Sequence, residues 1–128
     1  MTHSPFTSPL GNPATTNSPT PPSTAETLAQ ALPRILAVVR PYAIMVFGSR
    51  ARGDNAPDAD LDLLIVLEEP AADPWRMAAD IRRATGAIGI GVDILVTDRQ
   101  RWEDHRRLAG SIEGMAARDG RMVNLDAA

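Results

Sequence analysis

Several residue types that commonly carry chemistry are missing or scarce in this sequence. The chain has no cysteine, which excludes disulfide bonds, thiol catalysis and cysteine-ligated zinc. All 13 basic residues are arginines, so no lysine nucleophile or Walker-type phosphate-binding lysine exists. With His3 and His105 as the two histidines, a histidine-rich metal site is excluded as well. Carboxylates, hydroxyls and arginines remain as candidates for chemistry.

A strong positive charge and long apolar runs are also lacking. The net charge of -3 argues against a general nucleic-acid binder, which would show a basic stripe. No apolar run approaches the length of a membrane span, and the N-terminus lacks the basic start and apolar core of a signal peptide. We therefore expect a cytoplasmic protein that does not bind membranes. A chain of 128 residues with 44% hydrophobic residues can form one domain with its own core.

The first part of the chain differs in composition from the rest. Residues 1–22 are dominated by Ser, Thr, Pro, Gly and Asn, and such a segment buries too little apolar surface to offset its chain entropy. We predict a disordered tail over residues 1–22 and a folded domain over residues 23–128. A tail that docks on a partner is the alternative.

Capping signals and apolar runs predict helices and strands in the folded part. The helix-start signals are Ser23 with Glu26, Asp73 with Pro74, Thr97 with Gln100, and Ser111. Pro33 is expected to kink the first helix or to restart it. The predicted strands are Tyr42–Phe47, Leu61–Leu67, Ile90–Val96 and a short closing strand over Arg121–Asn124. This order predicts an α/β (α+β) fold, a small mixed β-sheet with helices packed on it.

Two aspartates stand at the start of the second predicted strand. Side chains at positions i and i+2 of a strand point to the same face, so Asp60 and Asp62 project their carboxylates together. Like charges held this close repel each other, and a cation is expected between them. Hard oxygen ligands suit magnesium, which is commonly held by carboxylates together with the phosphates of a substrate. The motif therefore predicts a magnesium site.

The first predicted strand ends in a glycine-serine turn that is suited to an anion. Gly48 allows the backbone to pass close to a ligand, and the short helical turn after it would present free amide groups. Ser49 adds a hydroxyl, while Arg50 and Arg52 offer positive charge to a triphosphate. Solvated surface positions are the alternative for both arginines. Carboxylates at one end of the motif and phosphate ligands at the other predict a metal-nucleotide site.

A third carboxylate lies inside an apolar strand. Asp93 is flanked by Val92 and Ile94, and an unpaired buried carboxylate is costly. If this strand lies beside the strand of Asp60 and Asp62, three carboxylates meet at one edge of the sheet. A buried salt bridge to one of the arginines is the alternative.

The spacing of these residues resembles the signature of a known family. Gly48-Ser49 is followed by ten residues and then by Asp60-Leu61-Asp62, as in the nucleotidyltransferases related to DNA polymerase β. Over Ala25–Asn124 the sequence is similar to their smallest members, the MNT-type minimal nucleotidyltransferases. The resemblance implies the polymerase β-like fold and makes Asp93 the third catalytic carboxylate. Asp60, Asp62 and Asp93 are then expected to hold two magnesium ions and the phosphates of ATP.

The resemblance also implies a reaction and a partner. We expect AMP to be transferred from ATP to a hydroxyl, with Gly48 and Ser49 holding the β- and γ-phosphates. MNT-type proteins often pair with HEPN-type ribonuclease toxins and act as antitoxins that adenylylate a toxin tyrosine. A chain this small has little surface for an acceptor pocket of its own, so a partner protein is the expected acceptor. Transfer to a small molecule such as an aminoglycoside, and a non-catalytic module that neutralises its partner by contact, are the alternatives.

Overall fold

The computed structural model describes residues 23–56, 59–86 and 91–127. The tail predicted to be disordered, residues 1–22, lies outside these ranges. In order along the chain, the elements are α1 (Thr24–Val38), β1 (Ala43–Phe47), α2 (Ser49–Arg52), β2 (Leu61–Leu67), α3 (Pro74–Thr85), β3 (Val92–Asp98), α4 (Arg99–His105), α5 (Ile112–Asp119), β4 (Arg121–Met122) and a 3₁₀ turn at Leu125–Ala127. No helix in these ranges is long and apolar enough to cross a membrane.

The strands form one mixed sheet with the order β3-β2-β1-β4. β1 is antiparallel to β2 and to β4, whereas β2 and β3 are parallel. The end of β1 and the starts of β2 and β3 therefore lie at one end of the sheet. Phe47 pairs with Asp62 there, and Asp62 pairs with Asp93. We call this the acidic end of the sheet. The predicted α/β class with a small mixed sheet is confirmed.

Helices cover both faces of the sheet. One face packs against α1 and α3, and its buried core includes Ile35, Leu63, Ile65 and Ile81. The opposite face packs against α4 and α5, and its core includes Phe47, Leu64, Val66, Trp102 and Ala116. β2 lies between two other strands and is covered on both faces, which explains its continuous apolar run. Asp62 is the one residue of β2 that is not buried.

Local capping determines where most helices begin. The Ser23 hydroxyl accepts a hydrogen bond from the Glu26 amide, and the Ser23 amide donates to the Glu26 carboxylate. Asp73 and Ser111 cap α3 and α5 as predicted. α1 continues through Pro33 without a break, so the predicted restart is wrong. Pro33 is exposed while Leu32 and Ile35 pack into the core, and this packing offsets the hydrogen bond that proline cannot donate.

The boundary between β3 and α4 differs from the prediction. β3 extends to Asp98, because its last residues still pair with the end of β2. Asp98 caps α4 by accepting a hydrogen bond from the Arg101 amide at 3.0 Å. Thr97 is therefore a strand residue and does not cap the helix. Its hydroxyl donates instead to the buried carboxylate of Glu113 at 2.7 Å, which connects β3 to α5.

Candidate functional site

Two of the predicted catalytic carboxylates lie next to each other at the acidic end. Asp62 stands directly opposite Asp93 in the parallel pairing of β2 and β3, and the charge of Asp93 acts on the Asp62 carboxyl. Asp62 is half-buried, whereas Asp93 is exposed. The expectation that the strand of Asp93 lies beside that of Asp62 is confirmed. Because Asp93 is exposed, the alternative of a buried salt bridge to an arginine is wrong.

The environment of Asp62 favours its protonated form. Burial raises the pKa of Asp62, and the charges of Asp93 and Asp60 raise it further. The positive charge of Arg52 acts in the opposite direction. A divalent cation fits these carboxylates, because its positive charge offsets the repulsion that contributes to the raised pKa of Asp62.

Asp60 lies beside the pair and against a glycine that the sequence did not single out. A Cβ atom at Gly91 would collide with the Asp60 carboxylate, with the Asp60 Cγ only 2.7 Å away. The Leu61 amide donates to the Gly91 carbonyl at 2.9 Å, which fixes the glycine next to the start of β2. In the sequence, this role of Gly91 is indicated only by the presence of a glycine two residues before Asp93. Gly91 thus leaves room for the Asp60 side chain.

The three carboxylates do not form a closed trio. Within the ranges that the structure describes, no three histidine, aspartate or glutamate side chains are grouped closely enough to hold one metal ion. Asp62 and Asp93 stand opposite each other in the two strands, and Asp60 affects Asp62 through its charge. The ligand set of Asp60, Asp62 and Asp93 stays a prediction.

Gly48 brings the backbone against the carboxylates. Its φ of 74° and ψ of -158° lie in a region that side chains other than hydrogen rarely permit. A Cβ atom at this position would collide with a carboxylate oxygen of Asp62 and lie 3.2 Å from its Cγ. No side chain caps the start of α2, which begins at Ser49. The backbone at Gly48 therefore lies directly against the Asp62 carboxylate. Phosphate binding by Gly48 and Ser49 stays a prediction.

The two predicted phosphate-binding arginines have different surroundings. The Arg52 side chain is exposed, its Nε donates to the Asp54 carboxylate at 3.2 Å, and its charge acts on Asp62. Arg50 is only 7% exposed, so the surface alternative is wrong for it. The Arg50 Nε donates to the Ala59 carbonyl at 2.9 Å, and its Nη1 donates to the Thr24 hydroxyl at 3.2 Å.

Arg50 therefore holds the loop before β2 against the start of α1. Only its Nη2 atom is left for a ligand, since this buried nitrogen has no partner among the residues with described positions. Phosphate contact by Arg50 stays a prediction. The contribution of Thr24 was missed, because nothing local in the sequence relates it to a residue 26 positions away.

Comparisons with known proteins agree with this geometry. The family model of the nucleotidyltransferase domain matches residues 26–108, a range that contains the glycine-serine turn and all three aspartates. A crystal structure of a Sulfolobus solfataricus protein, described as a proposed nucleotidyltransferase, is similar to this chain with a TM-score of 0.54 and 19% identity. The similarity covers 75% of each chain and supports the fold. No curated protein sequence matches the chain. Since the family match spans more than half of the chain, this protein belongs to the nucleotidyltransferase domain family, with the polymerase β-like fold.

Proposed function

We propose that this protein is a magnesium-dependent adenylyltransferase that transfers AMP from ATP to a hydroxyl group on a partner protein. Membership of the nucleotidyltransferase domain family indicates nucleotidyl transfer as the general reaction. The observation that carries the proposal is the position of Asp62 directly opposite Asp93 at the acidic end, with the backbone of Gly48 against Asp62.

The donor set fits a divalent cation. Asp62 and Asp93 would hold it, with Asp60 beside them, and carboxylate oxygens are the hard ligands that magnesium prefers. When bound, magnesium stabilises negative charge on the transferring phosphoryl group and on the leaving pyrophosphate. The carboxylates repel one another, and a bound cation reduces this repulsion. The repulsion therefore also favours binding of a divalent cation.

The protein's own residues would position the nucleotide and move a proton. Gly48 lets the triphosphate approach the backbone at the start of α2, where the Ser49 hydroxyl donates to a phosphate oxygen. The exposed Arg52 guanidinium pairs with the β- or γ-phosphate. Asp93 is exposed, and its carboxylate takes the proton of the attacking hydroxyl as a general base. The oxygen of the acceptor hydroxyl forms a bond to the α-phosphorus of ATP, and the bond from this phosphorus to the pyrophosphate breaks.

An acceptor on a partner protein fits an open site. Asp60 and Asp93 are both exposed at the acidic end of the sheet, so a hydroxyl on the surface of another protein can approach them. The similarity to MNT-type enzymes favours a HEPN-type ribonuclease toxin as this partner, with a tyrosine as acceptor and this chain as the antitoxin.

Calorimetric titration with a non-hydrolysable ATP analogue, with and without magnesium, tests the nucleotide site. We expect magnesium-dependent binding that is lost in Asp62→Asn and kept in Asp80→Asn. Asp80 is a suitable control because it is an acid on α3 that pairs with Arg83 at the protein surface. Binding that is equal with and without magnesium would contradict the metal-nucleotide site.

Incubation with ATP labelled at the α-phosphate tests the acceptor. We expect the label on a HEPN-type partner when the two proteins are mixed, and no label when Asp93→Asn replaces the wild type. A label found on an aminoglycoside and never on protein would favour the small-molecule alternative. Protection from the toxin by a variant that carries both Asp60→Ala and Asp62→Ala would favour neutralisation by contact alone.

A further inference from the structure

The outer edge of β3 is open in the part of the chain that the structure describes. β3 stands first in the strand order β3-β2-β1-β4 and pairs there with β2 alone. The Leu61 amide of β2 donates to the Gly91 carbonyl, and backbone groups alternate in direction from one residue of a strand to the next. The N–H and C=O groups of Ile94 and Val96 therefore point away from β2, where they can bond to another strand.

β3 lacks the features that commonly protect an edge strand from pairing. Natural edge strands are often very short, carry lysine or proline, or contain a bulge. The β3 sequence has no lysine and no proline, and its register with β2 runs from Val92 to Asp98 without a break. Residues 94–96 at its centre are apolar. This edge is therefore suited to the addition of a further strand.

An apolar groove of about 420 Å³ runs along the same edge. Residues 94–98 of β3 all line it, and because consecutive side chains of a strand point to opposite faces, its floor is the strand edge and not one face. The α3 side of the groove includes Pro70, Pro74 and Trp75. Trp75 is 81% exposed, and an exposed tryptophan beside an apolar groove is typical of a docking surface.

A second copy of this chain can pair with the open edge about a two-fold axis. Antiparallel pairing of two β3 strands places the start of each strand beside the end of the other. With Leu95 opposite its own counterpart, Ile94 of one copy exchanges hydrogen bonds with Val96 of the other. Asp93 then lies opposite Thr97 of the second copy. The axis is perpendicular to the sheet, so the face that carries α4 and α5 is on the same side in both copies.

Opposite charges meet in this antiparallel arrangement. Asp93 shares a face of the sheet with Leu95, which packs in the core under α4 and α5. Arg101 lies in the first turn of α4 and lines the groove. Its side chain is 60% exposed, with Nε 3.6 Å from the Glu113 carboxylate on α5. The second copy therefore brings the guanidinium of its Arg101 to the acidic end, on the face of Asp93. Parallel pairing would instead bring two acidic ends together, which like-charge repulsion disfavours.

We propose that two copies of this chain pair antiparallel through their β3 edges, and that Arg101 of each copy binds the phosphates of the nucleotide held at the acidic end of the other. The pairing joins two four-stranded sheets into one and buries both Trp75 side chains. Guanidinium groups are well suited to phosphate oxygens. The pairing itself is independent of the proposed function, whereas the role of Arg101 rests on it.

Sedimentation velocity of the full-length chain over a range of concentrations tests the pairing. We expect a dimer for the wild type and a monomer for Trp75→Glu, because burying an unpaired carboxylate is costly. Met122→Glu is the matched control and should stay dimeric, since Met122 is 66% exposed on β4 at the opposite edge of the sheet. A wild type that is monomeric throughout overturns the proposal and leaves the edge to a strand of another protein. A dimer that is lost in Met122→Glu and kept in Trp75→Glu overturns it as well.

Mixing two variants tests whether Arg101 acts on the other copy. Asp62→Asn lacks an acid of the site and Arg101→Met lacks the guanidinium, so each alone should release pyrophosphate from ATP at least about tenfold more slowly than the wild type. Both should still sediment as dimers. A mixed dimer has one complete site, with Asp62 from one copy and Arg101 from the other. Since equal amounts give about half mixed dimers, about a quarter of the wild-type rate should return.

Each contrary result of the mixing experiment has a definite meaning. No recovery in the mixture, with an active wild type, shows that Arg101 does not act on the other copy and overturns that part of the proposal. Full activity of Arg101→Met alone overturns it too. A wild-type dimer that neither binds the ATP analogue nor releases pyrophosphate overturns the proposed function together with the role of Arg101, while the pairing through β3 stands.

Discussion

Asp62 and Asp93 lie directly opposite each other in two parallel strands, and burial together with the charge of Asp93 raises the pKa of Asp62. Apolar side chains flank Asp62 along β2, and its neighbours in the strand are buried. Two acids at this position destabilise the folded protein unless a proton or a cation lies between them. This arrangement therefore lowers the stability of the metal-free protein and favours the binding of a cation.

The first prediction concerns Asp62 and pH. Because the pKa of Asp62 is raised in the folded protein, its contribution to stability is fully present below the unfolded pKa of about 3.9. That contribution is lost as the pH rises from this value through the higher folded pKa, because over this range the folded state binds a proton that the unfolded state has released. We expect Asp62→Asn to be more stable than the wild type at neutral pH without divalent ions.

Urea unfolding at several pH values between 4 and 8 measures this difference. The gap in unfolding free energy between Asp62→Asn and the wild type should widen with pH, whereas Asp80→Asn should follow the wild type. Added magnesium should stabilise the wild type and leave Asp62→Asn unchanged, because binding to the folded state alone raises stability. A gap that does not change with pH would contradict the raised pKa.

The second prediction compares two glycines with positive φ. Gly48 and Gly53 have φ values of 74° and 81°, so alanine at either position costs about 1–3 kcal/mol of unfolding free energy through backbone strain. Only at Gly48 would the new Cβ collide with Asp62, since Gly53 has open space around it. We expect Gly48→Ala to lose nucleotidyl transfer and Gly53→Ala to keep it.

Urea unfolding and pyrophosphate release, measured on both variants at a temperature where both are folded, check this comparison. Equal activity of Gly48→Ala and Gly53→Ala would show that the position of Asp62 does not depend on the glycine.

The third prediction isolates Asp60. The Cβ of Gly91→Ala would meet the end of a flexible, exposed carboxylate, and Gly91 does not have a positive φ. The Asp60 side chain can therefore move aside at a cost below about 1 kcal/mol. We expect the stability of Gly91→Ala to change little and its magnesium affinity to fall. Gly86→Ala is the control, because it places a Cβ in open space. Unchanged magnesium affinity in Gly91→Ala would remove Asp60 from the ligand set.

Local signals in the sequence predicted most of this fold. The caps at Ser23, Asp73 and Ser111 join groups three residues apart, so a short window contains both partners. The apolar run Leu61–Leu67 predicted a strand, and the structure has that strand with the same bounds. The sequence could place Asp93 near Asp62 only if their two strands are neighbours in the sheet. Whether two parallel strands are neighbours depends on the path of the whole chain between them.

Long-range contacts account for what was missed. Thr97 with Gln100 has the pattern of a capping box, but Thr97 donates to Glu113, 16 residues away. Arg50 follows the glycine-serine turn as a phosphate ligand would, yet it is buried and bonds to Thr24 and Ala59. No local pattern carries information on such partners. The roles of the site residues follow from chemistry and still require the measurements above.

The last prediction separates the two arginines of the glycine-serine turn. Arg50→Met removes two partly buried hydrogen bonds and should lower the unfolding free energy by about 1–3 kcal/mol. Because these bonds go to the protein itself, the loss of nucleotide affinity should be smaller than in Arg52→Met. Arg52→Met removes an exposed ion pair with Asp54, which changes stability by less than about 1 kcal/mol. Its affinity for an ATP analogue should fall about tenfold, since a hydrogen bond to a charged group contributes about 1.5–3 kcal/mol.

Urea unfolding and calorimetric titration at low salt, done on the same preparations, measure both effects. The two variants are matched, because each replaces an arginine by methionine and the two positions are only two residues apart. A loss of affinity in Arg50→Met as large as that in Arg52→Met would mean that the free Arg50 Nη2 reaches the nucleotide. Arg50 would then connect Thr24, Ala59 and the phosphates, and the start of α1 would be coupled directly to nucleotide binding.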